Sequence, residues 1–290
     1  AHPAHLSASD ETYRKAGDLP VKKVSTTVTY GVLILAAAVM CFPVLFSLAL
    51  SFSDLNDILA GDYIPDSLTF THYINAFQTQ PLLHYMLNSA IVGVLSTALE
   101  IVFALLAAYA IVFIPFRAKK VVFLLMMATM MIPGEVLVIT NFQTIRSWDM
   151  LNTYQGLILP GLASTFGIFL FRQNMLQIPL ELKEASTVAG VSEFGFFWKI
   201  VAPMVVNTVV TLAIYFFLVS WNSYMWPLLS TTEDTVRTVQ IGLRQLKNTE
   251  AVSDYGMMAA GAMVTSLPTL LLIFFGQKRL QEGMTKGAIK

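Results

Sequence analysis

Few residues of this 290-residue chain could do chemistry by themselves. Glu100 is the one ionisable side chain near the middle of a long apolar run. A charge there costs a few kcal/mol facing lipid, so it must face protein or a polar cavity. It is the only candidate coupling residue for an ion-driven secondary transporter, and a hydrogen bond to a neighbouring helix is its plainer role. Trp221, Asn222, Tyr224 and Trp226 bring aromatic faces and an amide together. Such a set can pack on sugar C–H surfaces and bond hydroxyls, although an aromatic belt uses the same residues. Four scattered histidines have no metal-ligand spacing, and the single cysteine, Cys41, cannot form an internal disulfide. There is no plausible catalytic triad and no Gly-x-x-x-x-Gly-Lys-[Ser/Thr] phosphate loop. The sequence therefore points to a non-enzymatic chain that holds no cofactor and no metal.

The elements that position these residues are apolar and long. Hydrophobic residues make up 56% of the chain and charged ones 12%, against about 45–50% and about 25% in soluble domains. Formal net charge is zero, so the positive field that draws a protein onto nucleic acid is missing. Six apolar runs are long enough to cross a hydrocarbon core of about 30 Å: Val28–Leu50, Met86–Phe113, Val121–Thr140, Tyr154–Phe171, Met204–Leu229 and Met257–Gly276. The first is too long for the core of a cleaved secretory signal and is read as a retained span. Fourteen of the 18 basic residues fall in the N-terminal tail, the 114–120 loop, the 172–203 segment and the C-terminal tail. Because basic residues are retained inside, both termini are expected in the cytoplasm. The expected fold is an all-α polytopic membrane domain over 28–276, with tails at 1–27 and 277–290 and outer loops at 51–85, 141–153 and 230–256.

One inner loop, 174–203, is patterned. Pro179 suits the first turn of a helix, Glu181 suits its positive end, and Gly190 ends it, so the spacing predicts a short helix over 179–189. Lys183 and Glu184 are expected as its exposed charges, and Ser192 as the N-cap of a second turn. The series Glu184-Ala185-Ser186, three residues, Gly190, nine residues, Ile200, one residue and Ala202-Pro203 resembles the EAA loop of ATP-binding-cassette importer permeases. That pattern has Ala where Ser186 stands and Leu where Ala202 stands. Asn152-Thr153-Tyr154 with Gly156-Leu157 and Leu159-Pro160, the run Gly167 to Gln173, and Trp221-Asn222 with Trp226-Pro227-Leu228 resemble the smaller permease of the maltose-type, carbohydrate-uptake family.

The resemblance implies a heterodimer with a second permease in a bacterial or archaeal cytoplasmic membrane. It also implies two ATPase subunits that bind the ATP and Mg, and an extracytoplasmic solute-binding protein. Glu184, Ala185, Ser186, Gly190, Ile200 and Pro203 would then couple to an ATPase cleft, with Ala185 and Ser186 allowing close approach. A sugar or oligosaccharide is the implied cargo, and importers of glycerol phosphate or glycerophosphodiesters resemble it as closely. In the 230–256 loop, Val239, Leu243 and Leu246 recur at helical spacing, which predicts an amphipathic helix near 236–246. The resemblance implies that this loop reaches the solute-binding protein, with Thr232, Asp234, Thr249 and Ser253 near its tip.

Overall fold

The computed structural model describes residues 26–61, 63, 68–247 and 254–285, and these are helical with no strand among them. Contacts divide the chain into two units, 1–46 and 47–290. The first holds most of α1 (Thr26–Phe52), which is apolar around its whole circumference: Ile34, Leu35 and Met40 are all exposed. That is the composition of a helix in lipid, not of one lying on a soluble core.

In the second unit the chain runs through α2 (Leu55–Ala60), α3 (Thr71–Thr79) and α4 (Leu82–Phe113), then α5 (Lys119–Thr129) and α6 (Gly134–Ser147). There follow α7 (Tyr154–Ile158) with a 3-10 turn at Leu159–Gly161, α8 (Thr165–Met175), α9 (Leu180–Val188) and α10 (Glu193–Phe196). A π-turn at Phe197–Val201 leads to α11 (Ala202–Met204), α12 (Val206–Trp221), α13 (Met225–Ser230), α14 (Val239–Leu246) and α15 (Tyr255–Thr285).

Among the described residues, three helical stretches are long and apolar enough to cross a membrane unbroken: α1, α4 and Tyr255–Gln277 of α15. The other three apolar runs fall on helices that are bent at a break. The run expected at 121–140 bends by 96° between α5 and α6, where Pro133 takes the N-cap of α6 and has no N–H to continue the ladder. The run at 154–171 bends by 50°, because Ser164 starts a new helix by accepting a hydrogen bond from Gly167 N–H at 3.2 Å. The run at 204–229 begins at a 72° bend between Glu193–Met204 and α12, and α12 ends at Trp221 before α13 restarts. Hydropathy records how apolar a segment is and not which way it points.

The main core lies where α4, α8 and α12 meet the 196–205 segment: Ala104, Ala108, Phe171, Met175, Phe196, Val201, Leu212 and Phe216 are buried together. Small residues set the spacing. A Cβ on Gly167 would sit 2.9 Å from Phe216 Cζ and 3.1 Å from Ala104 Cβ, so only glycine lets α8 approach both neighbours. By contrast, α5 buries none of its residues and α6 buries only Ile145.

A polar clasp joins the end of α1, α3 and the start of α15. His72 Nε2–H donates to the Ser53 carbonyl at 2.9 Å, while Nδ1 lies 3.2 Å from Asp254 Oδ2. All three residues are buried, and Asp254 also accepts from Met257 N–H at 2.9 Å. A Cβ at Gly256 would run into the imidazole, so glycine makes room for the ring. Both ring nitrogens face acceptors, which favours the imidazolium. The bond to Asp254 raises the His72 pKa above its ordinary 6.5 against the opposing effect of burial. Burial pushes Asp254 upward, but the bonds from His72 and Met257 outweigh it and hold the pKa below 3.8. The stabilisation from His72 is complete below pH 6.5 and is lost as pH rises through its raised pKa; that from Asp254 is complete above pH 3.8 and is lost as pH falls through its lowered one. The thermal midpoint of the solubilised protein should therefore fall as pH rises past His72's raised value, and His72→Gln should remove that fall. An identical pH profile in the variant would contradict the clasp.

Candidate functional site

The patterned loop folds as two short helices on a buried base. Helix α9 starts after Pro179 and ends in a left-handed residue, Gly190, with φ of 74°. Val191 N–H donates to the Ser186 carbonyl at 2.9 Å and Gly190 N–H to the Thr187 carbonyl at 3.0 Å. This pair of bonds closes the helix as a Schellman turn. No atom stands within 4 Å of where a Cβ on Gly190 would be, so a side chain there is opposed by backbone strain and not by crowding. Ser192 then caps α10 by accepting from Gly195 N–H at 3.2 Å.

The structure separates the loop residues into outward and inward groups. Glu184, Ala185 and Gly190 are exposed, and Val188 is 90% exposed, an apolar side chain with no cover from this chain. Ser186 is buried, and its hydroxyl donates to the Lys183 carbonyl at 2.7 Å. Its side chain faces this chain, beneath the exposed Ala185. Ile200 is half-buried beside the main core, and Pro203 lies in α11, one turn before the bend into α12.

Lys183 departs from expectation. Instead of pointing to solvent, it pairs with Glu193 and lies 4.7 Å over the Phe196 ring. Glu193 Oε2 accepts a second bond, from Tyr109 OH at 2.8 Å. One carboxylate thus ties α9 to α4. The sequence carries no local signal for this, because Tyr109 and Glu193 are 84 residues apart.

At the other end of α4 a cavity of about 500 Å³ is lined by Ser96, Glu100, Glu135, Asn141, Ser220 and Trp226, among others. Glu100 joins none of the ion pairs among the described residues. Thr238, buried and also on the wall, has a hydroxyl without a partner among the described residues. Of the four aromatic-cluster residues, the cavity takes only Trp226, whose Nε1–H donates to the Leu157 carbonyl at 3.2 Å. Trp221 is buried in the core and donates to the Thr265 carbonyl. Tyr224 lines a separate pocket with Gln240 and Arg244, and Asn222 is exposed, bonded to the Leu218 carbonyl.

A network missed in the sequence closes this end. Asn88, 1% exposed, donates to the carbonyls of Thr235 and Arg237 and accepts from Tyr154 OH. Asn152, left-handed at φ 56°, accepts from the backbone N–H groups of Thr232 and Glu233. Helix α14, shorter than expected, is packed on α4 and α15, with Val239 N–H bonded to Ser89 Oγ at 2.8 Å. Thr232 and Asp234 are exposed on the segment so held, whereas Thr249 and Ser253 lie outside the described residues.

The family described as binding-protein-dependent transport system inner membrane component matches residues 100–286. The chain belongs to that family. It is 30% identical over 260 residues to the arabinooligosaccharides transport system permease protein AraQ of Halalkalibacterium halodurans, covering 88% of this chain and 92% of that protein. It is 28% identical to the lactose transport system permease protein LacG of Rhizobium radiobacter, covering 93% and 98%. The sn-glycerol-3-phosphate transport system permease protein UgpE of Yersinia pestis is 32% identical, with coverage of 69% and 71%. The fold matches a chain of a crystallised bacterial ABC transporter involved in import of the acidic polysaccharide alginate. The TM-score is 0.79 at 18% identity, over 96% of this chain and 99% of that one. A second match, in a complex with an alginate pentasaccharide-bound periplasmic protein, has a TM-score of 0.60 at 14% identity, over 86% and 92%.

In this family member the tie at Glu193 is local and half solvent-facing, so its removal should cost little global stability, about 1 kcal/mol or less. Glu193→Ala should instead speed amide exchange in Leu180–Val188 several-fold while leaving α4 protected. Unchanged exchange in α9 would contradict the tie.

Proposed function

We propose that this chain is the membrane-spanning permease subunit of an ATP-driven importer that carries a sugar or oligosaccharide across a bacterial inner membrane by alternating access. Each bent helix pair crosses once, for six spans, and both termini lie in the cytoplasm with the basic residues. The chain works as a heterodimer with a second permease. Two ATPase subunits hold the ATP and Mg, and an extracytoplasmic solute-binding protein delivers the cargo.

The observation that carries this reading is the presented end of α9. Glu184, Ala185 and Val188 stand clear of the chain on a loop whose base is buried and whose far side is tied to the long helix α4. A helix held in this way suits a cleft on another subunit: closure of the ATPase pair would move α9, and the Lys183–Glu193–Tyr109 tie would pass that motion to α4. Ile200 and Pro203 act at the bend that leads into α12, where a change of angle re-aims a span.

The cavity beside Glu100 suits a stretch of the cargo path. Its walls offer hydroxyls, an amide, an indole and two carboxylates but no Lys or Arg. That lining favours a neutral carbohydrate over the glycerol phosphate named for UgpE, whose anion would meet like charge. Trp226 and the Ser and Asn side chains of the cavity are the residues placed to touch cargo. Tyr224 and Asn222 stand outside it, and Trp221 supports it from the core. The segment carrying Thr232 and Asp234 is the part placed to meet the solute-binding protein.

In proteoliposomes holding the complete transporter, uptake should require ATP and the binding protein and should not be driven by an ion gradient alone. Gly190→Val and Glu184→Lys should each lower the stimulation of ATPase activity by loaded binding protein by about tenfold or more, with the subunit still inserted in the membrane. Wild-type stimulation in both variants would overturn the coupling role of the loop. Glu100→Gln should keep uptake ATP-dependent, and loss of all uptake with intact ATPase stimulation would point instead to a coupled ion.

A further inference from the structure

Three helix ends meet in a second cavity, of about 420 Å³, which the transport reading leaves unused. The end of α4 contributes Ile111, the start of α5 contributes Lys119, Lys120 and Phe123, and the end of α8 contributes Arg172 and Leu176. The walls are thus apolar with three cations and no acidic residue. None of the three cations belongs to an ion pair among the described residues. The Arg172 guanidinium lies 4.0 Å over the Phe123 ring, and its Nε is buried without a hydrogen-bond partner.

The helix start adds to this. No side chain caps the first turn of α5 and no acidic residue lies in it, so Lys119 and Lys120 stand at the positive end of the helix dipole, where cations are disfavoured. An anion placed there would meet two ammonium groups and a guanidinium together, at the positive end of the helix. Beyond it, Leu124 is 68% exposed, on a helix that buries nothing in this chain. A phosphodiester with hydrocarbon attached fits both halves of the site, whereas a free phosphate would use only the polar half.

We propose that this cavity binds one anionic phospholipid, with its phosphodiester between Lys119, Lys120 and Arg172 and an acyl chain along Phe123 and Leu124. The site lies on the side of the membrane that carries most of the basic residues, where anionic headgroups and basic pockets pair.

The test uses the complete transporter in detergent, exchanged into phosphatidylglycerol or phosphatidylcholine, with bound lipid counted by native mass spectrometry. The wild type should retain one phosphatidylglycerol that inorganic phosphate does not displace, and should not retain phosphatidylcholine. Lys119→Gln/Lys120→Gln/Arg172→Gln should weaken retention about a hundredfold. Arg172→Lys, which keeps the charge, should retain the lipid and serves where the triple variant fails to assemble. Equal retention of both lipids, displacement by phosphate alone, undiminished binding in the triple variant, or loss of the lipid in Arg172→Lys would each overturn the site.

Discussion

Glu193 is the side chain that links the presented helix α9 to the body of the protein. Its carboxylate accepts from Tyr109 on α4 and pairs with Lys183 on the presented helix α9. Beside it, Lys183 over the Phe196 ring and the buried Ser186 are further side-chain contacts of α9 with the body of the protein. Through Glu193, α9 and α4 are connected by a charge-assisted bridge. The base beneath α9, Phe196, Phe197 and Val201, is buried in the main core together with residues of α4.

The two ends of α4 are held by different chemistry. Near α9 the contacts are mostly apolar and aromatic, with Tyr109 edge-on to Phe197 at 5.1 Å. At the opposite end Asn88, with its amide hydrogens and carbonyl all bonded, fixes the 231–238 segment against α4 and α7. A buried amide this fully satisfied specifies one arrangement, since any other leaves polar groups unpaired. Between these firm ends, α5 and α6 contribute almost nothing to the buried interior. Their exposed apolar faces suit lipid or another subunit, and their 96° bend places Glu135 beside the same cavity as Glu100.

Much of this was legible in the sequence. The six apolar runs all correspond to helices or bent helix pairs, and Pro179, Gly190 and Ser192 marked the helix, stop and cap of the patterned loop because such signals act within a few residues. The bends were not legible, since they depend on how Pro133, Ser164 and Val205 orient the following helix. Nor were the roles of Asn88, Glu193 and His72, whose partners are distant in the chain. Trp221 shows the limit from the other side: a tryptophan beside an exposed asparagine reads as a binding surface, yet its indole is absorbed by the Thr265 carbonyl. Lys183 departs from expectation for a related reason, because a short helix gives no sign of which face its own chain will cover.

The claim that matters most is that α9 is the point of contact with the motor. With Cys41 replaced, a single cysteine at Ala185 or Val188 can be crosslinked to cysteines introduced around the cleft of the ATPase subunit in the assembled transporter. The account predicts a rapid crosslink from Ala185 and Val188 and none from a cysteine at buried Ser186 or at Leu124. Failure of both exposed positions to crosslink in every nucleotide state, in a complex whose ATPase is still stimulated by loaded binding protein, would contradict it.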